Sequence, residues 1–160
     1  MNMHSFIGAA ALASVLIFGS AGGSAAESVP LQPQEVRAMY SGNTWVWDKG
    51  AGYFAPNGTF QAWTMDGEYG LMHATGRWFV EIGGQLCFSA RWFYDNTSST
   101  SQDCFAHRSS NGSVLQRDER ERGQWYVFGR RDGAGRPTSQ KLQHGNLVAP
   151  HLPAHAAALK

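Results

Sequence analysis

Sequence signatures of the common enzyme classes are missing from this chain. It has no Gly-x-Ser-x-Gly elbow, no His-Glu-x-x-His pair, no phosphate-binding glycine loop ending in Lys-Ser/Thr and no dinucleotide fingerprint. We therefore expect no cofactor and no catalytic metal. Any acid–base chemistry would have to come from side chains scattered along the sequence.

Long hydrophobic runs are also rare. Residues 6–18 form an uninterrupted segment of apolar and small residues, which matches a secretory hydrophobic region and is shorter than the ~20 residues of a membrane span. Small residues at 24–26 follow, so we expect a signal peptide over 1–26 with cleavage before Glu27. No Lys or Arg precedes the run, and an uncleaved N-terminal anchor is the alternative. The mature protein is expected to be periplasmic or secreted, without a stable membrane span.

Cysteine is scarce. The two cysteines of the chain, Cys87 and Cys104, lie in consecutive predicted strands with sixteen residues between them. An even pair in an exported protein indicates a disulfide. A redox role is the alternative, but the spacing is not that of a Cys-x-x-Cys motif.

No strong excess of one charge is present, because the formal net charge is +1 at pH 7. Residues 27–128 contain eight Lys or Arg and eleven Asp or Glu, whereas 129–160 contain five Lys or Arg and one Asp. This distribution does not predict nucleic-acid binding. Aromatic residues stop after Phe128, so we predict a disordered basic tail over 129–160. Its histidines have no spacing that would organise a metal site; they are His144, His151 and His155.

The middle of the chain consists of short aromatic segments separated by turn residues. Trp45-Val46-Trp47 begins the series, and Pro56-Asn57-Gly58 is a tight turn, since proline sets φ and Asn-Gly accepts a positive φ. We assign eight strands, at 44–47, 52–55, 59–63, 71–80, 85–92, 103–108, 113–117 and 124–128, with a helix at 33–40 and a polar loop at 96–101. This spacing predicts an all-β domain over 27–128, a small antiparallel meander that closes into a barrel or sandwich, with a short N-terminal helix.

Alternation along the strands identifies a buried face only in part. Leu86, Phe88, Ala90 and Trp92 share one face of 85–92. Elsewhere, one candidate inward set is Trp45, Trp47, Tyr53, Trp78, Val80, Trp125 and Val127, while Phe54, Phe79, Tyr126 and Phe128 have the opposite parity. Either both faces of the sheet are partly covered, or one face presents aromatic side chains to a ligand.

Four tryptophans are candidate ligand contacts: Trp63, Trp78, Trp92 and Trp125. Aromatic faces stack on sugars and on apolar groups, and core packing is the alternative for each of them. Gly76 lies inside a predicted strand, which indicates a bulge or a close approach of two backbones.

A candidate acid–base cluster consists of Asp103, His107, Arg108 and Arg91, which pairing of the cysteine-bearing strands would bring together. A histidine beside a carboxylate can act as a general base. The alternative is a polar sheet face with cross-strand ion pairs.

Taken in order, several motifs resemble those of a family of small exported proteobacterial proteins, domain of unknown function 995. They are Tyr40-Ser41-Gly42-x-Thr44-Trp45, Gly52-Tyr53-Phe54-Ala55-Pro56-Asn57-Gly58-Thr59-Phe60, Gly76-Arg77-Trp78, Leu86-Cys87-Phe88, Trp92, Cys104-Phe105 and Trp125-Tyr126-Val127-Phe128. The resemblance covers about residues 40–128 and leaves the tail outside. It implies an envelope or secreted location and a paired Cys87 and Cys104, and it implies no activity.

Three functional hypotheses follow. The first is a non-catalytic periplasmic or secreted module that binds an envelope component, which is a glycan, a small amphipathic molecule or a protein. The second is an envelope hydrolase that uses His107 with a nearby carboxylate. The third is a structural role in which the basic tail binds an acidic partner. The sequence leaves the identity of the ligand and the oligomeric state open.

Overall fold

The computed structural model describes residues 28–120 and 122–153. The predicted signal peptide lies outside the described residues. The elements are β1 (Val29–Pro30), α1 (Pro33–Tyr40), β2 (Asn43–Trp47), β3 (Gly50–Phe54), β4 (Thr59–Asp66), β5 (Gly70–Val80), β6 (Leu86–Tyr94), β7 (Thr97–Ser110), β8 (Ser113–Asp118), β9 (Tyr126–Arg131), β10 (Pro137–Thr138), β11 (Leu142–His144) and a 3₁₀ helix at Ala149–His151. No helix in this part of the chain is long and apolar enough to span a membrane.

The strands form one antiparallel sheet that nearly closes into a barrel. Strands β2 to β9 pair in chain order as a meander, and β1 adds to β7. The predicted all-β meander with one short helix is confirmed, with eleven strands in the described residues where we expected about eight. The additional strands are β1, β10 and β11, which have two or three residues each and are too short to show alternation.

Residues 137–144 lie across the seam of the barrel, between β9 and β2. The first half pairs with β9 as β10, and the second half pairs with β2 as β11. Between them, the Ser139 hydroxyl donates to the Phe128 carbonyl at 2.6 Å, and the Val46 N–H donates to the Lys141 carbonyl at 2.8 Å. One segment therefore bonds to both edges of the sheet.

The predicted disorder of 129–160 is thus wrong for 129–153, while 154–160 lie outside the described residues. The prediction relied on the loss of aromatic residues, but backbone groups that pair with a sheet edge need no large side chains. After β11 the chain covers the outer face of the first strands. There Val148 is fully buried, and the Leu147 N–H donates to the Thr44 hydroxyl at 3.1 Å.

The predicted polar loop at 96–101 is also wrong, because β7 begins at Thr97. Tyr94 pairs directly with Thr97 across a two-residue turn, and the following Ser and Thr residues continue in register with β6. Asp95 adopts φ 47° in this turn, which Asp tolerates better than most residues. Threonine is common in strands, so the polar composition of this segment did not justify the prediction of a loop.

Small residues line the inner face of the middle strands. Gly52 pairs with Ala62, and Ala62 pairs with Ala74. A β-carbon at Gly52 would lie 2.9 Å from the Phe60 ring. The lack of a side chain at Gly52 therefore leaves space for this ring. At Gly76 a β-carbon would lie 2.0 Å from the Ser89 carbonyl oxygen, which confirms the predicted close approach.

Helix α1 covers one end of the barrel. Its residues Val36, Met39 and Tyr40 are buried, as their spacing predicts. The Tyr40 ring enters the core and contacts the rings of Phe54 and Phe128 at centroid distances of 5.0 Å and 6.1 Å. This end of the barrel is therefore filled by side chains.

Cys87 and Cys104 form the predicted disulfide and lie directly opposite each other on β6 and β7. Replacing both by serine should lower the free energy of unfolding by about 3 kcal/mol, because the bridge closes a 17-residue separation in the unfolded chain. Urea unfolding would measure the change. The reduced wild-type protein is the control, since it loses the bridge and keeps the sulfur atoms. Equal midpoints for the oxidised and reduced proteins would contradict the prediction.

Candidate functional site

The barrel contains an apolar cavity of about 270 Å³. In the part of the chain that the structure describes, seven aromatic side chains and one carboxylate line it: Trp45, Trp47, Phe54, Phe60, Phe88, Trp92, Asp103 and Phe105. A mainly apolar cavity with one polar group is the usual form of a small-molecule site.

Strand alternation and register bring these residues together. Trp45 and Trp47 are two positions apart on β2, and Asp103 and Phe105 are two positions apart on β7, so each pair faces inward. On β6, the inward residues Phe88 and Trp92 belong to the face that the sequence identified. Cross-strand pairing then sets Asp103 directly opposite Phe88.

The cavity has a buried floor and an exposed rim. The floor consists of Phe54, Phe60 and Phe88, which are at most 9% exposed, and the Phe60 and Phe88 rings stack at 4.5 Å. The rim consists of the partly exposed residues, namely Trp45, Trp47, Trp92, Asp103 and Phe105. A ligand would therefore meet indole rings and a carboxylate first and phenyl rings at the bottom.

Hydrogen bonds hold Asp103 in the rim. The Ser101 hydroxyl donates to Asp103 Oδ2 at 3.0 Å, and the Trp92 indole N–H donates to the Ser101 oxygen at 3.2 Å. From outside the cavity, the Arg120 guanidinium pairs with Asp103 Oδ1 at 3.0 Å. The carboxylate and the Trp92 ring are thus positioned by one connected set of contacts.

Of the four tryptophans proposed from sequence, only Trp92 lines the cavity. Trp78 is 2% exposed and donates its indole N–H to the Ala55 carbonyl at 2.7 Å, as a core residue does. Trp63 faces outward and stacks on the His151 ring at 4.1 Å. The structure therefore does not bring the four together.

Trp125 also lies outside the cavity, on the outer surface of the sheet. The guanidinium groups of Arg108 and Arg117 lie 5.0 Å and 4.8 Å from its ring. The cavity residues that sequence reasoning did not propose as ligand contacts include Trp45 and Trp47. Their place in the candidate inward set was the sequence feature that could have identified them.

The inward assignment was wrong for Tyr53, Trp125 and Val127, because Phe54 and Phe128 are buried in the core instead. On β3, the strand register determines which side chains point inward, because Trp45 pairs with Gly52. Gly52 and Phe54 therefore share the inner face with Trp45.

A second polar group lies inside the protein, around His107, which is 2% exposed. Its Nε2 accepts from the Tyr40 hydroxyl at 2.9 Å and lies 3.0 Å from the Gln116 side-chain nitrogen. That amide also donates to the Tyr40 oxygen at 2.8 Å, and its carbonyl accepts from Tyr126. The Gln116 NH2 group can only donate, so Nε2 is the acceptor, the Tyr40 hydroxyl also donates to it, and the proton of the neutral ring belongs on Nδ1.

Burial lowers the pKa of His107 to about 4, and the Phe105 carbonyl opposes the shift. Nδ1 nevertheless has no partner of normal hydrogen-bond geometry in the described residues. His107 is therefore neutral near pH 7, and it belongs to a buried network that joins α1 to β7 and β8.

The proposed acid–base cluster is not assembled. Asp103 lies in the cavity rim, whereas Arg91 is exposed and Arg108 packs against Trp125 on the outer surface. His107 hydrogen-bonds to Tyr40 and Gln116, and no Asp or Glu among the described residues bonds to it. The hydrolase hypothesis requires such a carboxylate at His107, so this geometry does not support it.

Comparison with known proteins identifies one family. The family model described as "Protein of unknown function (DUF995)" matches residues 5–148. Comparisons with curated proteins and with solved structures found no match. The matched region extends past Phe128 and includes β9 to β11, so the segment that closes the barrel seam is part of the family domain. The chain belongs to the DUF995 family.

Proposed function

We propose that this protein is a non-catalytic binding module that holds a small amphipathic molecule in its aromatic cavity. The observation that carries the proposal is the lining, in which seven aromatic rings surround the carboxylate of Asp103. Aromatic rings provide the apolar contact area, and one fixed polar group orients the ligand.

The size of the cavity selects among the ligands expected from sequence. An engineered apolar cavity of about 150 Å³ binds benzene, so a cavity of about 270 Å³ accepts a group somewhat larger than one ring. A glycan chain is too long for this space. A glycan would instead have to stack on the outward tryptophans. However, Trp63 already stacks on His151, and Trp125 already packs against two arginines.

We place this activity in the periplasm or outside the cell. A disulfide is compatible with an oxidising compartment, and the apolar run at 6–18 has the length of a secretory signal. The ligand would then be a component of the envelope or of the surrounding medium.

Tryptophan fluorescence with acrylamide quenching tests the proposal on the oxidised protein. The probes are 3,3-dimethylbutan-1-ol, benzyl alcohol, benzyltrimethylammonium and the disaccharide cellobiose. At least one of the first three should protect a quenchable population, and the protection should be weaker in Trp92→Phe, which removes one of the three indole rings of the cavity. Trp63→Phe is the matched control, because Trp63 lies on the outer face, and it should keep the protection.

Two outcomes would overturn the proposal. One is the absence of any response to the three small probes. The other is a response to cellobiose that persists in Trp92→Phe and disappears in Trp63→Phe, since that result would place binding on the outer surface.

A further inference from the structure

We infer that the ligand of the aromatic cavity is an organic cation, a quaternary or substituted ammonium group on a small apolar frame. The inference rests on the proposed function and specifies the charge of the ligand. It follows from three features of the cavity rim: the sign of its charge, the kind of rings beside that charge, and the position of Arg120.

Among the described residues, the only ionisable side chain that lines the cavity is an acid, Asp103. Its carboxylate is held by the Ser101 hydroxyl at 3.0 Å, and Ser101 is held by the Trp92 indole N–H at 3.2 Å. The acid therefore has a defined position next to an indole ring. A positive group that enters the rim would find an opposite charge already oriented towards it.

The aromatic rings of the rim also favour a positively charged ligand. Three of them are indoles, those of Trp45, Trp47 and Trp92, and the negative face of an aromatic ring attracts cations most strongly when the ring is an indole. Trp45 contacts Phe105 edge-to-face, with centroids 5.0 Å apart and planes at 79°. Rings at such angles form walls around a site, as in sites that bind quaternary ammonium groups.

Arg120 is the cation that pairs with Asp103 in this structure. Its guanidinium pairs with Asp103 Oδ1 at 3.0 Å, but its side chain is 57% exposed, against 19% for Asp103. It does not line the cavity, and it follows the end of β8 at Asp118. An exposed ion pair contributes little to stability, so an ammonium group in the rim can replace Arg120 as the partner of Asp103.

An anionic ligand is the competing interpretation, with Arg120 as its partner. It would bring a second negative charge close to Asp103, and the energy of two like charges rises as the local dielectric constant falls beside apolar rings. The carboxylate faces the cavity and the guanidinium does not, so the geometry favours the cation.

Three probes of nearly identical shape and different charge test the inference: choline, 3,3-dimethylbutan-1-ol and 3,3-dimethylbutanoate. Binding to the oxidised protein is measured by titration calorimetry and by fluorescence. Choline should bind at least about tenfold more tightly than the neutral alcohol, as expected for a cation among desolvated rings. Asp103→Asn should remove this preference. Asp48→Asn is the matched control, because Asp48 is an exposed acid in the β2–β3 turn that does not line the cavity.

A second variant separates binding from folding. Arg120→Ala removes the competing cation and leaves the cavity lining unchanged, so it should bind choline several-fold more tightly than the wild type. A folding defect cannot produce this gain in affinity. Weaker or unchanged choline binding in Arg120→Ala would overturn the role of Arg120 as an exchangeable partner.

The remaining outcomes distinguish this inference from the proposed function. If the alcohol binds as tightly as choline and binding requires Trp92, the cavity is a binding site without charge preference, and only the cation inference fails. If 3,3-dimethylbutanoate binds most tightly and Arg120→Ala removes that binding, the site takes an anion, and again only the inference fails. If none of these probes binds and the fluorescence panel is also silent, both fail.

Discussion

Truncation of the chain after Asp132 is expected to open the barrel and to destabilise it by several kcal/mol. The truncated chain lacks β10 and β11, so the edges of β9 and β2 lose their partners. It also lacks Val148, which is fully buried over the outer face of the sheet. Since a domain of this size has a total stability of about 5–15 kcal/mol, such a loss is a large part of it.

Two truncations and the full chain separate the contributions. Ending the chain after His144 keeps β10 and β11 and removes Val148 with its neighbours, so its stability should lie between those of the full chain and the chain ending at Asp132. Circular dichroism and urea unfolding measure the stabilities of the three chains and so give their order. The open edges of β9 and β2 should also promote association of the shortest chain, visible by light scattering. If the chain ending at Asp132 unfolds at the same urea concentration as the full chain, residues 137–144 do not stabilise the seam.

Acidification should destabilise the protein through His107 by about 3 kcal/mol between pH 6.5 and pH 4. The pKa of this histidine is lowered to about 4 by burial in the folded protein, whereas it is about 6.5 in an unfolded chain. Between these values the unfolded chain binds a proton that the folded protein does not bind. This stabilisation is therefore fully present above pH 6.5 and is lost as the pH falls towards 4.

Urea unfolding at pH 7 and at pH 4.5 tests this expectation in the wild type, in His107→Gln and in His107→Phe. Each variant changes the contacts to Tyr40 and Gln116, so absolute stabilities will differ. The informative quantity is the change with pH, which should be smaller in both variants than in the wild type. Parallel pH dependences in all three proteins would show that His107 titrates similarly in the folded and unfolded states.

Local features of the sequence were sufficient for much of the fold. Short aromatic segments between Gly, Pro and Asn turns predicted the meander, and the i, i+3, i+4 spacing of Val36, Met39 and Tyr40 predicted the buried face of α1. The pairing of Cys87 with Cys104 followed from their number and the expected export. Each of these inferences depends on residues that are close in sequence or on a pair with no alternative partner.

The candidate site was only partly predictable. Alternation placed Phe88 and Trp92 on one inward face, and both line the cavity. Trp63 and Trp92 both lie in predicted strands, but one faces His151 outside the sheet and the other faces the cavity. Alternation shows which residues share a face, and it does not show which face is inside when both carry aromatic rings.

The sequence by itself determined the β class, the short helix and the disulfide, because backbone preferences, side-chain periodicity and a single cysteine pair are local or unique properties. Tertiary structure alone decided the register of Trp45 against Gly52, the use of 137–144 to close the seam, and the contact of Arg120 with Asp103. The physical reason is that a shift of one residue in strand pairing reverses the face of every side chain. Register is set by the packing of the whole barrel, and the cavity exists only once that packing is complete.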